Sequence, residues 1–196
     1  EFIKIVNQKL PIENLAQCVL NAPEKRLHFF KELQPDDEAI NVMPSYDLID
    51  ISAYSSYGTI GAFYCFKPPK TRFATILSNR GCRAKCSFCS VRNFNGSGVR
   101  QRSVESVVDE LEYLQNEHGI GHVMWLDDDL FKDAKRTINL YNEMVRRNLK
   151  LTWDATNGVI AAACTEEIIA AAAESGCIAL NIGMESGNPE ILKKIV

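Results

Sequence analysis

Apolar positions change their period several times along this chain, and each change marks an element. Over residues 73–78 (Phe-Ala-Thr-Ile-Leu-Ser) they run almost unbroken, which predicts a short buried strand. Val104, Val107, Val108, Leu111 and Leu114 then fall at helical spacing, with Ser103 placed to cap that helix and Gly119 to end it. The run His122-Val-Met-Trp-Leu predicts a second strand, closed by Asp127, Asp128 and Asp129. Ile138, Tyr141 and Val145 share one face of the next helix, and its last turn holds Arg146 and Arg147, where cations suit the dipole. A third strand opens at Leu151-Thr-Trp. Thr165 caps a third helix, with Glu166 and Glu167 in its first turn and Gly176 behind it. Residues 177–182 make a fourth strand, and Asn188 and Pro189 suit the cap and first position of a fourth helix.

Strand and helix thus alternate four times over residues 71–196, with connections short enough for right-handed crossovers and no loop that reads as a hairpin. The pattern predicts an α/β fold on a parallel sheet, either doubly wound or the first half of a barrel. No strand is followed by G-x-G-x-x-G, so a dinucleotide fold gains little support. Residues 1–70 differ. Pro23, Pro35 and Pro44 punctuate them, Leu27, Phe30 and Leu33 suggest one short amphipathic helix, and Pro68 and Pro69 mark a turn before the first strand. They read as a tail or linker from a preceding domain.

Composition narrows the class. The 196 residues are 46% hydrophobic and 24% charged, the mix of a soluble globular chain with one core. A net charge of -3 gives no basic stripe, so no nucleic-acid footprint is expected. No apolar run reaches the ~18 residues of a membrane span. The chain opens on Glu1 without a basic-then-apolar leader and reads as starting inside a longer protein, with no signal peptide. Seven cysteines, three of them within residues 82–89, do not resemble a secreted disulfide framework, and a reducing, cytoplasmic compartment is expected.

Cys82-Arg-Ala-Lys-Cys86-Ser-Phe-Cys89 lies just past the first strand, on the face where parallel α/β folds carry their chemistry. Three thiolates on so short a loop can share one metal centre, and Arg80, Arg83 and Lys85 add charge that favours thiolates. Structural zinc asks for four ligands, commonly in two separated pairs, and no second pair exists here. Ferredoxin-type runs keep a fourth cysteine at a fixed offset, which is also missing. A cubane on three cysteines leaves one iron free to bind something else. A zinc-stabilised binding module and a non-catalytic iron–sulfur electron carrier are the two rival readings.

CxxxCxxC with Phe88 just before the last cysteine resembles the motif of the radical S-adenosylmethionine (radical SAM) superfamily, and the likeness runs from Phe73 to Val196. The resemblance implies a partial TIM-type parallel (β/α) barrel, here truncated after about four strand–helix units. It implies a 4Fe–4S cluster on Cys82, Cys86 and Cys89 whose free iron chelates S-adenosylmethionine. Reduction by a flavodoxin- or ferredoxin-type donor then yields a 5′-deoxyadenosyl radical that abstracts hydrogen from a small-molecule substrate. Phe88, Asp127, Asp128, Asp129, Glu185 and Ser186 are the cofactor-binding positions that follow from it. Where the family often carries Gly-Gly-Glu for the amino group, this chain has the three aspartates, with Asp129 in register with the glutamate; capping of the next helix is the alternative. Glu185 and Ser186 stand where the family contacts the ribose, against the plainer reading of a polar turn. After Trp153 the family often has a basic residue; Asn157 stands there instead, which turns attention to Arg100 or Arg102 as the carboxylate anchor.

Pro44-Ser-Tyr-Asp-Leu-Ile-Asp with Tyr54, Arg102-Ser-Val-Glu and the stretch 183–195 are similar to the cobalamin-dependent subgroup. That similarity implies cobalamin use by the full-length protein, in methyl transfer or rearrangement. His28, His118 and His122 carry no expected function, and Cys164 and Cys177 read as core residues.

Overall fold

The computed structural model describes Val19–Asn21, Leu27–Phe29 and residues 37–57, 68 and 70–195. The chain divides into one unit ending at Asp36 and a second beginning at Asp37. In the first, β1 (Val19–Asn21) pairs antiparallel with β2 (Leu27–Phe29), Leu20 opposite His28. Leu27 is therefore on a strand, not on the short helix its spacing suggested. Three-residue strands carry too little alternation to be told from a helical period.

The second unit opens with α1 (Asp37–Ile40) and α2 (Ile51–Tyr57). Ile51 is buried in the core, Tyr46 packs against it, and the Ser55 hydroxyl accepts from the Phe73 amide at 2.9 Å. Part of the segment read as a linker is thus built into this unit. The strand–helix series follows: β3 (Phe73–Ile76), a long loop, α4 (Val104–His118), β6 (His122–Trp125), α5 (Ala134–Arg146), β7 (Thr152–Val159), α6 (Glu166–Glu174), β8 (Cys177–Ile182) and α7 (Pro189–Ile195). The long loop contains α3 (Val91–Asn95) between two short strands, β4 (Asn79–Arg80) and β5 (Arg100–Gln101). The sheet order is β3-β6-β7-β8, every neighbour parallel, so each new strand lies beside the last. Strand order and direction bring all four carboxyl ends to one edge.

Capping follows the chain's polar residues. The Ser103 hydroxyl accepts from Ser106 N at the start of α4, and Gly119 closes that helix. Thr165 caps α6 in the same way. On α5 the buried stripe is Thr137, Leu140, Tyr141 and Met144, while Val145 is exposed, one position off the face read from Ile138, Tyr141 and Val145. Trp153 lies at the centre of the core: it stacks on Tyr141 with centroids 4.9 Å apart and gives its indole N–H to Ser175 Oγ at 3.0 Å. His122 is fully buried between Thr152 Oγ1 and Asp154 Oδ2, both at 2.9 Å. It ties β6 to β7 at the end of the sheet away from the cysteine loop.

Candidate functional site

The cysteine loop is held at its root before any cysteine is reached. Asn79 pairs with Gln101 and Arg80 with Arg100, an antiparallel ladder too short to announce itself in a sequence read as free of hairpins. Gly81 follows at φ 89°, and a Cβ there would stand 2.2 Å from the Gly98 carbonyl oxygen, so only glycine lets the two sides of the loop close.

The three aspartates that end β6 grip this root. Asp127 is buried and accepts from Ser78 N (3.0 Å), Ser78 Oγ (2.6 Å) and Asn79 N (2.8 Å). Asp128 accepts from Gly81 N at 2.8 Å and Asn95 Nδ2 at 2.7 Å. Asp129, also buried, takes the Arg83 guanidinium on both oxygens, each at 2.9 Å. β3 stops at Ile76, short of the expected Ser78, because the Ser78 amide turns to Asp127 rather than into the ladder. The aspartates do not cap α5 either, since Asp133 does so through Arg136 N. Asp127 and Asp129 are thus committed to the chain itself, which narrows the expected cofactor contact to Asp128.

Burial pushes the Asp127 carboxyl up to about 6, while bonds from Ser78 and Asn79 and the charge of Arg136 pull the other way. A free Asp titrates near ~4, so between roughly pH 4 and 6 the folded chain keeps a proton that the unfolded chain has lost. Stability should therefore fall as pH rises through that window, by about 3 kcal/mol from this residue. Urea unfolding of the wild type and Asp127→Asn between pH 4 and 7 checks the sign. The Asn chain should lack this fall, and equal slopes would contradict it.

The three cysteines are free thiols, Cys82 and Cys86 half-buried and Cys89 exposed. Burial pushes the Cys82 thiol up, helped by Asp129, Cys86 and Asp128 and opposed by the Ala84 amide, which donates to its sulfur at 3.4 Å. The expected help from arginine is absent at Cys82, because Arg83 is spent on Asp129. Among the described residues no three His, Cys, Asp or Glu side chains gather tightly enough to hold a single ion. A cubane takes its cysteines on separate irons, a wider arrangement, and three soft donors with an amide aimed at one sulfur fit that group.

Beside the loop lies a cavity of about 590 Å³. Cys86, Asp128, Asn157, Glu185 and Ser186 line it, so residues following all four parallel strands meet in one place. Asn157 and Gly158 sit in a register shift of β7, with Gly158 at φ 90°. A bulge re-aims side chains, and here it turns Asn157 so that its Nδ2 donates to the Asp127 carbonyl at 3.2 Å. Glu185 adopts the left-handed conformation at φ 51°, costly for a residue with a side chain. The Ser186 hydroxyl accepts from Asn188 N at 3.0 Å, and Asn188 Oδ1 from Glu190 N at 2.9 Å, so the turn also starts α7. The helix returns to the loop, where Ser87 N donates to the Ile195 carbonyl at 2.8 Å, and Leu192 lines the cavity.

Some expectations lie elsewhere. Phe88 is 59% exposed beside Cys89 and is not part of the cavity wall. Arg102 is buried against Glu110 at 2.5 Å, and Arg100 donates to the Asn95 carbonyl; neither lines the cavity as a carboxylate anchor. Sequence reading missed Ser78, Asn79 and Asn95, which reach the aspartates through backbone amides and short polar side chains with no spacing signal of their own.

Residues 76–196 match the Radical SAM superfamily. The chain is 32% identical over 153 residues to an uncharacterised methyltransferase of Pyrococcus horikoshii, covering 78% of this chain and 30% of that protein. It is 31% identical over 147 residues to the cytidylyl-2-hydroxyethylphosphonate methyltransferase of Streptomyces wedmorensis, covering 75% of this chain and 26% of that one. Among solved structures, the radical S-adenosylmethionine methyltransferase TsrM of Kitasatospora setae, with tryptophan and a SAM analogue bound, superposes with a TM-score of 0.72. That match has 21% identity and covers 99% of this chain and 36% of the other. The cobalamin-dependent S-adenosylmethionine radical enzyme OxsB, with aqua-cobalamin and S-adenosylmethionine bound, gives 0.77 at 20% identity, over 99% and 27%. The chain therefore spans about a third or less of the length of these relatives. Among the described residues no helix is long and apolar enough to cross a membrane.

Proposed function

The chain belongs to the radical SAM superfamily, and on that premise we propose that Cys82, Cys86 and Cys89 hold a 4Fe–4S cluster and that the adjoining cavity binds S-adenosylmethionine. One observation carries the reading: residues after four separate strands line a single cavity that includes Cys86. When bound, the cluster supplies the electron that cleaves the sulfonium of S-adenosylmethionine. The chain's own part is to bind and orient. Asp128 spends one oxygen on Gly81 and Asn95 and keeps the other for an ammonium group. Glu185 and the Ser186 hydroxyl proton suit a ribose diol, and Val159, Ile160 and Leu192 give the cavity apolar walls that exclude water.

An electron carrier needs no cavity beside its cluster, which favours catalysis over that rival. The exposed Cys89, Phe88 and Phe94, with exposed Arg80 and Lys85, suit a docking reductant of flavodoxin or ferredoxin type. Three clustered cysteines assigned to a metal centre rather than to disulfides suit a reducing cytoplasm. For the whole protein the reading extends to cobalamin-dependent methyl transfer onto a small molecule. Support comes from relatives named as methyltransferases and from OxsB, named as cobalamin-dependent.

Glu185→Gln tests the ligand directly. On anaerobically reconstituted protein, S-adenosylmethionine affinity measured by calorimetry should weaken about tenfold, the loss of one charged hydrogen-bond acceptor, with iron content unchanged. Unaltered affinity would remove Glu185 from the site.

A further inference from the structure

Glu110 is a buried carboxylate, 2% exposed, in the apolar stripe of α4 between Val107 and Leu111. A buried ion pair is seldom the most stable way to fill a core position. Its two contacts lead in opposite directions. On one side the Tyr46 hydroxyl donates to Glu110 Oε1. On the other, Arg102 lies 2.5 Å from Glu110 Oε2. Arg102 in turn holds the root of the cysteine loop: Nη1 donates to the Leu77 carbonyl at 3.1 Å, and its amide to the Ser78 carbonyl at 3.0 Å. A second tie runs in parallel, since Asn41 Oδ1 accepts from Ser103 N at 2.7 Å and Ser106 Oγ at 2.9 Å. Asn41 and Tyr46 are therefore bonded to α4 and its cap, the element that leads directly out of β5, one contact away from Arg102 at the root of the loop.

We propose that Tyr46, Glu110 and Arg102 are positioning residues, a relay through which the segment before the sheet sets the geometry of the cysteine loop. The proposal rests on the assignment of that loop to the cluster. Link by link, Tyr46 fixes the Glu110 carboxylate by a hydrogen bond, the carboxylate holds the guanidinium as an ion pair, and the guanidinium fixes the Leu77 carbonyl one residue before Asp127 takes the Ser78 amide. Loosening the first link should be felt at the last.

The test compares Tyr46→Phe with Tyr113→Phe, whose ring stacks on Tyr46 with centroids 6.3 Å apart but whose hydroxyl is outside the relay. In protein without iron, amide exchange over residues 77–83 should quicken about tenfold in Tyr46→Phe, the effect of one lost bond to a charged group, and stay at the wild-type rate in Tyr113→Phe. In reconstituted, reduced protein the cluster's spin-resonance spectrum should broaden in Tyr46→Phe alone. Glu110→Gln, which keeps the shape and loses the charge, should move both readouts the same way. Wild-type exchange and spectrum in a folded Tyr46→Phe, or equal change in both tyrosine variants, would overturn the proposal. Faster exchange with an unmoved spectrum would reduce the relay to fold support and overturn it as well. If the wild type takes up no iron, the cluster assignment fails, while the exchange comparison still judges the relay.

Discussion

Cys82→Ala, Cys86→Ala and Cys89→Ala are each expected to abolish the iron–sulfur cluster, while Cys164→Ala and Cys177→Ala leave it intact. The three loop thiols are half-buried or exposed, Cys86 and Cys89 are joined by one turn, and Cys86 opens on the cavity. The other two serve packing. Cys164 Sγ faces the Ile160 carbonyl at 3.8 Å and Cys177 Sγ the Ala179 carbonyl at 3.7 Å, both against the apolar core. Burial pushes the Cys177 thiol up to about 11, as its place against the core requires. Cys18 and Cys65 lie outside the described residues, and their Ala variants are also expected to keep the cluster. Iron and sulfide analysis after anaerobic reconstitution reads the outcome. Loss of the cluster in Cys65→Ala would supply a fourth protein ligand and close the iron that the function requires to be open.

Asp127→Ala should give the largest effect of any change outside the cysteines. It would leave the Ser78 and Asn79 amides and the Ser78 hydroxyl buried without their acceptor. Each stranded buried donor costs about 1–3 kcal/mol, so a net loss of about 3 kcal/mol is expected even after the buried charge is relieved. Asp127→Asn is the informative contrast. The Ser78 hydroxyl and the Asn79 amide bond Oδ1, at 2.6 and 2.8 Å, and an amide oxygen can take that place, while the Ser78 amide, shared between Oδ2 at 3.0 Å and Oδ1 at 3.2 Å, keeps only the longer bond. Its cost should stay within about 1 kcal/mol. Chemical denaturation and iron retention should therefore rank the wild type and Asn together and Ala well below. Equal behaviour of Ala and Asn would mean that Asp127 does not hold the loop.

What the sequence makes legible here is what chain direction enforces. Once Val104 to Leu114, Ile138 to Tyr141 and Ile168 to Ala172 are recognised as crossover helices, the strands between them must be parallel. The residues after each strand then share an edge, which is why Cys86, Asp128, Asn157 and Glu185 meet although they are far apart in sequence. Individual side-chain duties are not legible in that way. Three adjacent aspartates look interchangeable, yet Asp127 and Asp129 give both oxygens to the loop, while Asp128 gives it one and also lines the cavity. Those partners are mostly backbone N–H groups, present at almost every residue and so invisible in composition. Arg102 looked like a free cation near the site because nothing in the local spacing announces Glu110, an acid on an otherwise apolar helix face. The strands β1, β2, β4 and β5 are too short for a period to register.

The central claim is an iron–sulfur cluster on three cysteines with one iron open to S-adenosylmethionine. Low-temperature spin resonance of the reduced, reconstituted protein, recorded before and after adding S-adenosylmethionine, tests it most directly. A signal that shifts its g-values on addition, in the wild type and in Cys65→Ala alike, is the predicted result. A signal indifferent to S-adenosylmethionine would contradict the account.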